Sequence, residues 1–195
     1  MLSCTYMYRI NKQSFRNKTN KLPVLLGQSQ KLFHTNDLAL LWGINNKNTL
    51  YTTIKRYVKK KILIPIHKGF YATLEADKID PLKLGIAFLH QFAYLSTETV
   101  LVKEGIIFQN IPCLTLVSAV SKQFKIGDNL YKVRQMKDEF LYQDAGIVIK
   151  NGLRQAGVER AVADLLYFNP NYHFDGAKFV DWDRVKKIQQ KVGFK

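Results

Sequence analysis

The chain has 195 residues and a hydrophobic fraction of 47%, enough for an ordinary core, and no apolar run near the roughly 18 residues that a membrane span needs. Its formal net charge of +15 is unevenly carried: residues 1–73 hold 13 Lys and Arg against the single acid Asp37, whereas residues 74–195 hold 17 against 14. A positive field confined to the first third predicts a polyanion docked there, with an ordinary folded domain behind it. The two cysteines, Cys4 and Cys113, have no metal-ligand spacing and give no disulfide framework, and Cys113 reads as a small buried hydrophobe. The expectation is a cytoplasmic chain with no membrane partner and no targeting segment.

Residues 1–20 mix tyrosines with Lys12, Arg16 and Lys18, contain no acid and show no period, so they read as a basic leader. Pro23 followed by Val24, Leu25 and Leu26 predicts a short helix within residues 21–30. Thr35 is a candidate N-cap and Asp37 complements the helix dipole, with Leu38, Leu41 and Trp42 as the buried stripe and Gly43 as the left-handed stop. A second helix starts near Asn46. Wound at about 100° per residue, it gathers Leu50, Ile54, Tyr57 and Val58 on one side and Asn48, Thr52, Lys55 and Lys59 on the other, with Arg56 at the edge.

Two β-prone runs follow, residues 62–66 and 70–73, separated by His67, Lys68 and Gly69. They predict a hairpin with its tip at Lys68-Gly69, and Pro65, lacking an amide hydrogen, belongs on an edge strand. Two helices, a tight turn between them and a hairpin make a winged helix-turn-helix over residues 21–76. Such a unit presents its second helix to the major groove of DNA. Asn48, Thr49 and Thr52 then stand where base edges are read. Lys47, Lys55, Arg56, Lys59 and Lys68 stand where phosphates are neutralised, and Asn46 and Lys60 complete the expected DNA-binding set.

Glu75 and Asp77 end the acid-poor stretch, and the domain boundary is expected within residues 74–79. Asp80 and Pro81 open a helix carrying Leu82, Ile86, Leu89 and Phe92 inward, and Ser96 is read as the cap of another that ends near Gly105. Strand-like runs at 112–119, 124–126, 130–134, 140–142 and 147–150 predict a meandering antiparallel sheet. A helix over residues 155–168 and a last one capped by Asp181, with Val185, Ile188 and Val192 on one face, complete the chain. The fold class expected is α+β: the winged domain, then a mixed α+β domain over residues 80–195 with a mainly antiparallel sheet.

Laid out in this way, the chain resembles the AbiEi family of antitoxins, the transcriptional-regulator half of type IV toxin–antitoxin systems of abortive phage infection. The resemblance is carried by NTLYTTIKRYVKKKILIPIHKGFYAT at residues 48–73, AYLSTETVLVKEGII at 93–107 and AGVERAVADLLYFNP at 156–170. It implies an N-terminal domain that binds inverted repeats upstream of its own operon and represses it. It also implies a C-terminal domain opposing a toxin of the nucleotidyltransferase class. Ser96 and Arg160 are the partner-binding candidates among the matched positions, and Arg160 and Asp164, four apart on one helix, are placed for an ion pair.

A nuclease is the competing reading, since a basic targeting domain joined to a mixed domain can deliver a cleaving site to DNA. That chemistry needs carboxylates clustered around a divalent metal, commonly an acid two residues before a lysine on a strand. Here Val148 stands where the acid is required, in Ile147-Val148-Ile149-Lys150. Phosphate loops, nucleophile elbows and metal-binding helices are missing from the sequence. RNA binding is a third reading, without the aromatic pattern of the common RNA modules. The expectation is a non-enzymatic DNA-binding regulator with no cofactor and no metal.

Overall fold

The computed structural model describes residues 20–194, so expectations placed on residues 1–19 and on Cys4 lie outside it. The chain forms two compact units that divide between His90 and Gln91.

The first unit runs α1 (Lys21–Leu26), β1 (Leu32–His34), α2 (Thr35–Trp42), α3 (Lys47–Lys59), β2 (Ile64–His67) and β3 (Phe70–Ala72). Its three strands form an antiparallel sheet in the order β1-β3-β2, which leaves β2, with Pro65, at an edge as expected. Apolar side chains from both layers close one core around Phe33, Leu38, Trp42, Leu50, Ile54 and Leu63. Each contributes about 1.5–3 kcal/mol by leaving water. Trp42 stacks on Tyr57 with ring centroids 5.3 Å apart, fastening α2 to α3.

Helix α2 stops as its sequence predicts. Gly43 takes φ 61°, and the amide of Ile44 reaches back to the carbonyl of Ala39 at 2.9 Å. Its start differs from expectation: the N-cap is His34, whose amide donates to the Asp37 carboxylate at 2.7 Å, and Thr35 is the first helical residue. Thr35 instead bonds the hairpin turn, as described below.

A short 3₁₀ turn (Ala76–Lys78) leads to α4 (Pro81–Leu89), capped by Asp80, whose carboxylate accepts from the amide of Leu82 at 2.8 Å. The inward face of α4 is Leu84, Gly85 and Phe88, while Leu82, Ile86 and Leu89 are half-buried. This helix also falls in the first unit and not, as the composition shift implied, in the second. The reason is aromatic packing: Phe88 meets the rings of Phe70 at 5.6 Å and His67 at 4.9 Å, and His34 Nε2 bonds the carbonyl of Ala87 at 2.9 Å.

The second unit comprises β4 (Ala93–Leu95), α5 (Glu98–Lys103), β5 (Cys113–Ser118), β6 (Lys122–Ile126), β7 (Asn129–Gln135), α6 (Asp138–Leu141), β8 (Ile147–Lys150), β9 (Leu153–Ala156), α7 (Val158–Phe168), a 3₁₀ turn (Ala177–Phe179) and α8 (Trp182–Val192). Its six strands lie in the order β6-β7-β5-β4-β9-β8. The sheet is mixed, not a meander: β5 runs parallel to β7 and β4 parallel to β9, while the other three pairings are antiparallel. Strand β6 turns back onto β7 through Gly127, so β7 and not β6 lies beside β5. The segment expected as a strand at 140–142 is largely helical as α6, and residues 155 and 156, expected in a helix, end β9. Cys113 is half-buried at the start of β5, less enclosed than its apolar neighbours implied. Asp181 caps α8 as predicted, accepting from the amide of Arg184 at 2.9 Å. The fold class is thus α+β.

Candidate nucleic-acid interface

Helix α3 carries most of the candidate residues, and its two sides are chemically distinct. Leu50, Thr53, Ile54 and Tyr57 are buried, while Asn48, Thr52, Lys55, Arg56 and Lys59 are exposed. The buried side packs into the core of the first unit, which fixes the roll of the helix and therefore which side chains face outward. Lys60, the C-cap of α3, and Lys68, in the turn between β2 and β3, are also exposed. Asn48 and Thr52 stand one helical turn apart, and the cations Lys55, Arg56 and Lys59 follow toward the C-terminus. Short side chains with both donors and acceptors precede long ammonium and guanidinium groups.

Two of the expected DNA-binding residues have local work. Asn46 is the N-cap of α3: its Oδ1 accepts from the amide of Thr49 at 3.0 Å and from the Thr49 hydroxyl at 3.3 Å. Both remain exposed together with Lys47, but the Asn46 carbonyl is committed to the first turn. Thr53, one turn further on, is buried and donates to the carbonyl of Thr49 at 2.8 Å.

The hairpin turn is held to the start of α2. The carbonyl of Gly69 accepts from the Thr35 amide at 2.9 Å and from its hydroxyl at 3.2 Å. Gly69 has φ 74°, a left-handed conformation that glycine adopts without strain. Between α3 and the β2 edge runs a groove of about 780 Å³, walled by Asn48, Tyr51, Thr52 and Lys55 on the helix and by Pro65 and Tyr71 across from it. Tyr51 is 55% exposed there and was not among the expected residues. The sequence does not single it out: wound at about 100° per residue from Leu50, Tyr51 falls beside Val58 at the margin of the apolar stripe, where an aromatic reads as core.

No protein-family model matches the chain, and no curated protein matches it.

The partner-binding candidates of the second unit lie inside it. Ser96, Arg160 and Asp164 are fully buried, so the structure leaves neither Ser96 nor Arg160 on a surface that a partner touches. Ser96 does not cap α5, which begins after Thr97; its hydroxyl donates to Asp164 Oδ2 at 2.7 Å. Arg160 Nε donates to Asp164 Oδ1 at 2.7 Å, the ion pair expected from their spacing. The guanidinium also donates to the carbonyls of Gln143 and Ala145, both at 2.8 Å, and to the Tyr94 hydroxyl at 3.0 Å, while Tyr94 donates to Asp164 Oδ2 at 3.0 Å.

This cluster ties α7 to β4 and to the loop before β8, and nearly every polar atom in it finds a partner, as a buried charge requires. Burial is the largest influence on Asp164 and lifts its carboxyl above the ordinary aspartate range, against the pull of Arg160, Ser96 and Tyr94. Burial opposes the charge of Arg160, yet Asp164 and Tyr94 outweigh it and raise its guanidinium further. The Tyr94 phenol is raised well above its ordinary value, by burial first and then by Asp164. A Cβ at Gly146 would stand 2.7 Å from the Cβ of Arg160, so glycine is required where this loop crosses α7.

Proposed function

We propose that the first unit is a winged helix-turn-helix domain that binds double-stranded DNA, with α3 as its recognition helix and the Lys68-Gly69 turn as its wing. The observation that carries this is the outward side of α3. Asn48 and Thr52 stand exposed beside Lys55 and Lys59, opposite the buried Leu50 and Ile54. An ordinary amphipathic helix accounts for the buried stripe but not for short amide and hydroxyl groups placed ahead of a cation cluster. Asn48 matches the donor and acceptor pair of an adenine edge, and the Thr52 methyl matches a thymine methyl. Lys55, Arg56, Lys59 and Lys68 neutralise phosphates on either side, and Lys47 and Lys60 extend that field.

The whole chain is, on this proposal, a non-enzymatic transcriptional regulator that represses its own operon through inverted repeats. It is also the antitoxin to a nucleotidyltransferase-type toxin. The antitoxin half rests on the family resemblance. If it holds, the toxin meets a surface other than Ser96 and Arg160, whose work is internal to the second unit.

Paired substitutions test the assignment. Lys59→Ala is expected to weaken binding on every duplex and lower the salt slope by about one. Asn48→Ala is expected to cost about 1–3 kcal/mol, mainly on the cognate site. Equal losses from both changes on cognate and random DNA would remove the base-readout role of Asn48.

A further inference from the structure

We propose that the groove between α3 and β2 seats the sugar-phosphate backbone of one DNA strand, with the hydroxyls of Tyr51 and Tyr71 donating to its phosphates. The inference rests on the DNA-binding reading above and adds to it two neutral contacts that charge counting does not find.

The walls of the groove define its occupant. Tyr51 and Tyr71 are amphipathic: each ring offers an apolar face to a deoxyribose and each phenol a donor to a phosphate oxygen. Lys55 lies on the same wall as Tyr51, and none of the residues lining the groove is a carboxylate, so the charge suits a polyanion. Asn48 and Thr52 line it as well, which puts the backbone channel beside the side chains assigned to base edges.

A peptide strand added to the sheet is a poor occupant for the same groove. Strand β2 is an edge, but Pro65 carries no amide hydrogen, and the register of β2 on β3 shifts between Pro65 and His67. Both features blunt an edge against strand addition. The groove therefore offers donors from side chains, where a phosphate accepts them, and not a backbone ladder.

Tyr51→Phe and Tyr71→Phe remove only the two hydroxyls and keep the rings, including the partial packing of Tyr71 on the core. Each variant is titrated against the duplex upstream of the chain's own reading frame and against a random duplex, at two or more salt concentrations. Native-like melting confirms that a variant is folded. The expected result is a loss of roughly tenfold or more on both duplexes for each variant, as for a hydrogen bond to a charged group. The salt slope stays unchanged, because a neutral donor releases no counterion.

Affinity equal to the native protein's for both variants overturns the proposal while leaving the DNA-binding reading in place. A loss confined to the upstream duplex also overturns it, since that is base readout and not backbone contact. A native protein that binds no duplex overturns both. Should Tyr71→Phe fail to fold, Tyr51→Phe alone decides between these outcomes.

Discussion

Thr35 holds Gly69 through two hydrogen bonds to one carbonyl oxygen, from its amide at 2.9 Å and from its hydroxyl at 3.2 Å. The contact joins the first residue of α2 to the turn that carries Lys68, so the position of that turn is set by the same helix that packs against α3. A conserved-volume substitution isolates the hydroxyl. Thr35→Val is expected to cost about 0.5–1.5 kcal/mol of stability. It should weaken binding to all duplexes alike, because a loosened turn holds Lys68 less firmly against a phosphate. Thermal melting and duplex titration together check this, and unchanged affinity would show that Lys68 does not need the tether.

Asn46 stands at the start of α3 as its cap, so its replacement acts through the helix. Asn46→Ala is expected to cost about 1 kcal/mol, and Asn46→Asp or Asn46→Ser much less, since each retains an oxygen for the Thr49 amide. Thermal melting of the three variants checks the order. If serine and alanine destabilise equally, the capping role is wrong.

Arg160 and Asp164 carry the largest stability prediction. Arg160→Met leaves the Asp164 carboxylate buried without a cation and is expected to cost about 3–5 kcal/mol. The double change Arg160→Met with Asp164→Leu removes both charges, and it should recover part of that loss in urea unfolding. A single variant as stable as the native chain would mean that the pair contributes little. Gly146→Ala should be destabilising through the same cluster, because its Cβ meets that of Arg160 and its φ of 76° is strained for alanine.

Acid should act through Glu98. Burial pushes its carboxyl up, but hydrogen bonds, that of the Arg134 guanidinium first among them, outweigh burial and hold it below the ordinary value of 4.5. A carboxyl with a depressed folded value contributes stability that is present above the unfolded value and lost as the pH falls through the folded one. Glu98→Gln should therefore melt below the native chain at neutral pH, and the gap should narrow once the pH drops under 4.5. A gap of constant size would assign the effect to packing.

Much of the first unit is legible because its signals are local. Gly43 must end a helix, Asn46 and Asp80 must begin ones, and the alternation of buried and exposed residues along α3 follows directly from its apolar spacing. Strands β1 and β4 were not legible: each has three residues, and Ala93, Tyr94 and Leu95 are all buried, which erases the two-residue period. Strand β9 carries a local signal. Asn151-Gly152, with φ 52° and 76°, makes a tight turn between β8 and β9 with the sequence that such turns prefer. The strand runs directly into α7 with only Gly157 between them, so no turn separates the two periods.

Ser96 misled for a different reason. A serine ahead of an apolar run reads as a cap, yet its hydroxyl is taken by Asp164, 68 residues away in sequence. Only the tertiary fold brings that carboxylate to it. The boundary near residue 76 failed likewise, since Phe88 packs on Phe70 and His67 across the composition shift.

The measurement that bears most directly on the central claim is a titration of the purified chain against the duplex upstream of its own reading frame, with a scrambled duplex at matched salt. Tighter binding to the upstream duplex is expected, with an affinity that falls linearly in log salt as several phosphate contacts are lost. Equal affinity for the two duplexes, or tighter binding to single-stranded RNA than to either, would contradict it.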